Sequence, residues 1–318
     1  MSEADGLEGR VAIVTGGARG VGEAIVRALV ARGAKVVVAD AGVAVDGSDP
    51  DPSLAQEVAG KLGANAVAYT EDMGIPKAAA GAVALAVEKF GGLDIVVNNA
   101  AIQRDAFLFK GNTDHWDAVV RTNLSAAYYL LAAATPVLRE NAAARRGAAD
   151  GGAYGWGRIV NIVSTAAFYG NYGQAPYASS KAGLMGLTRI AALDMARVGV
   201  TANAVAPLAR TRMIERIKPV NEAQAIYKER MLKAPASHVG NFVAYLCSPL
   251  AAQVNGQLFG VRGREVILFS QPRPTKTIVA AGAEWDADTL GRQVTAELAA
   301  GFTDLETDVD AFASEPIV

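Results

Sequence analysis

The sequence predicts a single α/β domain on a doubly wound parallel sheet, with a lid insertion and a C-terminal extension. Three observations predict it. Short apolar runs rich in Val and Ile alternate with longer Ala- and Leu-rich stretches of helical spacing. The composition is 51% hydrophobic but only 7% aromatic, which suits a sheet covered on both faces by closely packed helices. A length of 318 residues is generous for one core and short for two.

The predicted strands are Val11 to Val14, Val36 to Ala39, Ala66 to Tyr69, Ile95 to Val97, Ile159 to Val163 and Val200 to Val205. Between them, helical spacing runs over Glu23 to Ala31, Leu54 to Leu62, Ala78 to Phe90, Trp116 to Leu138 and Ala178 to Val198. In such sheets ligands sit outside the carboxyl ends of the strands, so the loops that follow strands should hold the chemistry. The Gly-rich, dibasic stretch Arg139 to Gly157 precedes a strand and reads as a surface loop on the far side. Leu208 to Ala236 follows a strand, is too long for a turn and mixes Ile214, Ile217, Ile226 and Met231 with cations, the pattern of a lid.

Ser270-Gln-Pro-Arg-Pro274 is too proline-rich to continue a strand or helix. Residues 1–269 therefore read as the main domain and 270–318 as an extension. Within it Leu290, Val294 and Leu298 predict a short amphipathic helix, and Asp304 to Val318 is acidic and weakly patterned.

With 30 Lys and Arg against 32 Asp and Glu, no global field favours nucleic acid or an anionic membrane, leaving a small-molecule partner. The longest apolar run, Ala126 to Ala134, is far short of the ~20 residues that span a bilayer. Met1 to Arg10 lacks the features of a secretory signal, and the single Cys247 excludes an intrachain disulfide, so a cytoplasmic protein is expected. His115 and His238 have no metal-ligand spacing, so no metal is expected.

Directly after the first strand comes Thr15-Gly-Gly-Ala-Arg-Gly-Val-Gly22, and then a helix. Gly16, Gly20 and Gly22 allow a tight turn and close approach to a pyrophosphate at the helix start, with Arg19 and Val21 in the same loop. Such a strand–glycine loop–helix order is that of a Rossmann-type dinucleotide site. About 20 residues on, Asp40 can accept hydrogen bonds from ribose hydroxyls and would repel a 2'-phosphate, favouring NAD over NADP. Arg19 is the counterweight. Asp72 with Met73, and Asn98-Asn99-Ala100-Ala101, lie at further strand ends where the adenosine would be met.

Tyr177 and Lys181 are one helical turn apart and can act on one ligand. A phenol with an unperturbed pKa of about 10 needs nearby positive charge to act as a base, which Lys181 can supply. Ser164, at the ligand end of the preceding strand, can reach a substrate oxygen, and Asn123 could anchor a water that links Lys181 to solvent.

Together Thr15-Gly-x-x-x-Gly-x-Gly22, Asn98-Asn-Ala, Asn123, Ser164 and Tyr177-x-x-x-Lys181 resemble the short-chain dehydrogenases/reductases from about Leu7 to Phe269. The resemblance implies a nicotinamide-dependent oxidoreductase with Asn123, Ser164, Tyr177 and Lys181 as catalytic residues and Asp72 and Met73 as adenine contacts. It implies that Pro207 and Thr211 hold the carboxamide, and that a homodimer or homotetramer forms through the helices beginning near Trp116 and Tyr177. Ala101 and Pro207-Leu-Ala-Arg-Thr211 depart from the usual glycine and Pro-Gly of the family.

Phe168 to Tyr177 and Val243 to Ser248 look like the dehydrogenase part of peroxisomal multifunctional enzymes, which oxidise (3R)-hydroxyacyl-CoA. Similar bacterial proteins act on steroids, so the implied substrate is a bulky secondary alcohol. Phe168, Tyr169 and Tyr172 could line its pocket or pack the core. Arg210, Arg212, Arg216 and Lys218 could bind CoA phosphates or form a solvated face. The alternative reading is a non-catalytic NAD-binding regulator that keeps the fold.

Overall fold

A computed structural model describes residues 6–144, 146, 155–219 and 221–318. Among the described residues eight strands form one sheet: β1 (Val11–Thr15), β2 (Lys35–Ala39), β3 (Ala66–Tyr69), β4 (Ile95–Asn98), β5 (Gly157–Ile162), β6 (Val200–Leu208), β7 (Leu258–Arg262) and β8 (Glu265–Leu268). Their spatial order is β3-β2-β1-β4-β5-β6-β7-β8. Neighbours run parallel except β7 and β8, which are antiparallel. The order reverses between β1 and β4, and a ligand crevice opens at such a switch point.

Both faces are covered, as the continuous Val and Ile runs require. One apolar layer joins α1 (Gly20–Val30) and α9 (Ser237–Leu246) to the sheet, and it encloses the buried Cys247. The other joins α3 (Pro76–Phe90), α5 (Ala126–Ala143) and the end of α6 (Ala175–Met195) to the opposite face. Among the described residues no helix is long and apolar enough to cross a membrane.

The structure corrects several boundaries. β2 ends at Ala39 as expected, but β5 ends at Ile162 rather than Val163, so Asp40 and Ser164 lie just beyond their strands. The helix predicted from Trp116 to Leu138 is α4 (Thr113–Val120), a π turn at Arg121–Ser125, and then α5. Such turns concentrate at functional sites, and this one carries Asn123. Of the stretch read as a loop, residues 139–143 finish α5, Arg146 pairs with Asp94 at 2.8 Å, and residues 147–154 lie outside the described residues.

β7 and β8 were absent from the sequence reading. They are four or five residues long, and Gly260 and Gly263 interrupt their apolar pattern. The signal present is the two-residue Gly263-Arg264 link between paired Arg262 and Glu265, with φ +56 at Gly263, where hairpins favour glycine.

β6 runs through Leu208, so the lid begins one residue later and contains α7 (Arg212–Arg216) and α8 (Glu222–Lys233). In the extension, α10 (Ala287–Gln293) continues as a π turn over Val294–Leu298. The weakly patterned end is structured too: α11 (Asp308–Ala311) returns to the sheet, burying Val309 and Phe312 against Leu208, Tyr227 and Met231.

Candidate active site

The glycine loop is fixed by close backbone approach. A Cβ on Gly22 would stand 1.9 Å from the Gly16 carbonyl oxygen, and one on Gly16 2.9 Å from Ala100 Cα. Gly16 and Gly20 also hold φ of 61° and 55°, a region that side chains disfavour. Thr15 ties the loop to the end of β4, its Oγ1 accepting from the Asn99 and Ala100 amides at 2.9 and 3.0 Å. The Asn99 side chain donates to the Thr15 and Gly16 carbonyls, both at 3.0 Å. Asn99 thus buttresses the loop.

A dinucleotide fits this cradle. Helix α1 starts without a side-chain cap, leaving its first amides for an anion. Arg19 Nε is buried without a hydrogen-bond partner, while another nitrogen of the same guanidinium donates to the Val43 carbonyl at 2.7 Å. Asp40 is held at the end of β2 by the amides of Ala18 (3.0 Å) and Gly42 (2.8 Å). Arg212 reaches the same place from the lid, donating to Val43 at 3.2 Å, and burial beside Arg19 lowers its pKa.

One cleft is lined by Gly16, Arg19, Gly20, Val21, Gly22, Asp40, Asp72, Met73, Asn99, Ala100, Ala101, Tyr177, Lys181, Pro207 and Thr211. The fold therefore brings these residues together, whereas Asn98 is buried in the sheet and donates to Asn161 at 2.8 Å. Asp72 accepts from the Gly74 amide (2.8 Å) and pairs with Arg121 (2.6 Å), whereas Met73 is buried. The Thr211 hydroxyl oxygen caps α7, accepting from Ile214 N at 3.2 Å.

At the other end of the cleft, Lys181 is 1% exposed and its Nζ donates to the Ile162 carbonyl at 2.7 Å. Burial brings its pKa down to about 7. Burial also pushes the Tyr177 phenol up to about 12, with a hydrogen bond from Ser164 opposing and the carboxyls of Asp308 and Asp105 adding to the rise. The positive charge expected of Lys181 is thus weakened by its own burial, and Ser164 supplies the opposing influence. Ser164 also accepts from the Ala166 amide at 3.3 Å, fixing its rotamer at the end of β5.

Asn123 is 1% exposed. Its side-chain oxygen accepts from Ile102 N (2.8 Å), and its amide donates to Ile102 O (3.0 Å) and Ser180 Oγ (3.3 Å). Both amide protons are committed to protein, and through them the residue ties the loop after β4 to α6.

The substrate-side residues do not share the dinucleotide cleft. Phe168 is half-buried, its ring 5.3 Å from that of Tyr169 and 4.7 Å from that of Phe269, while Tyr172 is 74% exposed. Arg216 is exposed on α7, and Arg210 is paired with Glu215 at 2.8 Å. Arg212 is separated from this charged face because it turns into the cleft.

Sequence reasoning missed the segment after β2, where Val43, Val45 and Gly47 line the cleft. Arg104 donates to the Asp46 carbonyl at 2.7 Å and Gln103 N to that of Val45 at 2.8 Å, so the segment is strapped across the crevice. Its place after a strand was the available signal.

The sequence model described as short chain dehydrogenase matches residues 10–221. Hydroxyacyl-CoA dehydrogenase ChsB1 of Mycobacterium tuberculosis is 39% identical over 284 residues, which cover 89% of this chain and 87% of that protein. The 3-oxoacyl-[acyl-carrier-protein] reductase FabG of Vibrio cholerae is 36% identical, covering 81% of this chain and 97% of its own. The peroxisomal hydratase-dehydrogenase-epimerase of Saccharomyces cerevisiae is 32% identical over 83% of this chain but 28% of its own length. Among solved structures, a short chain dehydrogenase from Mycobacterium avium superposes with a TM-score of 0.79 at 33% identity, covering 95% of this chain and 98% of that one.

Proposed function

The chain belongs to the short-chain dehydrogenase family, and on that premise we propose that it oxidises a 3-hydroxyacyl-CoA with NAD. It is an oxidoreductase acting on CH–OH groups with a nicotinamide cofactor. The observation that carries the substrate reading is the likeness to a hydroxyacyl-CoA dehydrogenase over most of both chains. The regulator alternative gains no support from relatives that are themselves dehydrogenases and reductases.

Bound nicotinamide supplies the hydride acceptor. Ser164 donates a hydrogen bond to the substrate oxygen, and Tyr177, deprotonated, takes the hydroxyl proton as the carbonyl forms. Lys181 would hold the nicotinamide ribose and lend positive charge near the phenol. The helix start and Arg19 hold the pyrophosphate. Asp40 accepts from the adenosine ribose hydroxyls, which supports NAD over NADP, although Arg19 and Arg212 soften the repulsion of a 2'-phosphate.

The enzyme works as a homo-oligomer in a reducing cytoplasm. The exposed Tyr128 on α5 and Ile190 and Leu193 on α6 support association through these helices. Light scattering tests the assembly.

The substrate test is NADH formation with a 3-hydroxyacyl-CoA beside a hydroxysteroid. A larger kcat/KM for the thioester, with KM raised by charge reversal at Arg216 and Lys218, supports CoA recognition. Preference for the steroid, or an unchanged KM, contradicts it.

A further inference from the structure

The buried carboxylate of Asp308 comes from the far end of the chain to the catalytic loop. It is 5% exposed and makes no ion pair among the described residues. Its Oδ2 accepts from the Thr165 hydroxyl at 2.9 Å and its Oδ1 from the Asn171 amide at 2.9 Å, while its backbone N donates to Gly170 O at 3.4 Å. These partners lie on both limbs of the loop that begins at Ser164 and leads into the Tyr177 helix. A buried carboxylate is costly unless fully hydrogen-bonded. The backbone at the start of α11 hydrogen-bonds this carboxylate as well, but its two side-chain donors both come from the serine loop.

The residues after Asp308 tie the same place to the lid. Val309 and Phe312 pack against Tyr227 and Met231 of α8, with Phe312 5.7 Å from Tyr169 ring to ring. Glu315 pairs with Arg230 of α8 at 3.1 Å, and Arg262 of β7 donates to the Ser314 carbonyl at 3.1 Å. The C-terminal end thus lies between the serine loop and the lid, touching both.

We infer that Asp308 is a positioning residue of the active site, clamping the loop that carries Ser164, and that residues 307–315 hold α8 against that loop as a wall of the substrate side. This rests on the reading of Ser164 and Tyr177 as catalytic. The charge has a second consequence. Asp308 faces Tyr177 from the tail and Asp105 faces it from the loop after β4; both carboxyls oppose formation of tyrosinate. Tyr227 of α8 feels Asp308, Tyr177 and, in the opposite sense, Arg262 of β7.

The test uses the full chain with NAD and a 3-hydroxyacyl-CoA, comparing Asp308→Ala, Asp308→Asn, Thr165→Val and Tyr177→Phe. Positioning predicts that Asp308→Ala lowers kcat about tenfold or more, with NAD affinity retained and partial recovery in Asp308→Asn. Loss of the charge should also move the alkaline rise of oxidation to lower pH in Asp308→Asn, which a merely structural role would not do. If Asp308→Ala fails to fold, Thr165→Val carries the test, because it removes the Thr165 limb of the clamp without altering the tail. Unchanged kcat and pH profile in the folded variants, with Tyr177→Phe inactive, overturn the inference alone. An active Tyr177→Phe overturns the catalytic reading and the inference with it.

Discussion

The Lys181 ammonium nitrogen lies 5.9 Å from the centre of the Tyr177 ring, and burial drives the two groups in opposite directions, Tyr177 up to about 12 and Lys181 down to about 7. Both shifts favour the neutral pair. The site therefore keeps the phenol protonated, and the phenol must be helped to become a base.

The pH dependence follows in sign. Reduction of a ketone needs the phenol, which persists well below about 12, so loss of the phenol should not lower its kcat/KM between about pH 6 and about pH 9, and a step near 7 there would report Lys181. Oxidation needs tyrosinate, whose fraction grows about tenfold per pH unit below the pKa, so its kcat/KM should climb across the same range. Initial rates in both directions check this. A flat oxidation profile would show that Tyr177 is not the limiting base.

The carboxylate of Asp40 should govern the choice of cofactor. Asp40→Ser removes the charge facing the adenosine ribose and leaves Arg19 and Arg212 in place. NADP should then gain about tenfold in kcat/KM, a change of ~1.4 kcal/mol, while NAD weakens. The same NAD-to-NADP ratio in both proteins would remove Asp40 from discrimination.

Asn123→Ala should cost stability as well as turnover. It orphans the buried N–H and C=O of Ile102, each at about 1–3 kcal/mol. Urea unfolding should lose about 3 kcal/mol with m unchanged. A loss below about 0.5 kcal/mol would mean that water replaces the side chain.

Most of the sheet was legible because β1 to β6 each contain a short apolar run bounded by loops, a pattern that local sequence carries by itself. The dinucleotide residues were legible for a related reason. Each sits at a strand end, as Gly16, Asp40, Asp72 and Asn99 do, and the fold turns that position into a shared cleft. What escaped depends on long-range contacts. The Gly260 and Gly263 hairpin lacks a long apolar run, the π turn at Asn123 keeps helical spacing on both sides, and Asp308 meets Thr165 across 143 residues. The raised pKa of Tyr177 and the lowered pKa of Lys181 were not legible because burial, which drives both shifts, is a property of the packed fold.

The central claim is that Tyr177 moves the proton while the bound dinucleotide takes the hydride. The most direct test measures NADH formation from NAD and a 3-hydroxyacyl-CoA by Tyr177→Phe beside the unaltered protein, with NAD affinity determined on both. In Tyr177→Phe kcat should fall by about 10²–10⁴ while NAD affinity stays within about threefold. Undiminished NADH formation by Tyr177→Phe would contradict it.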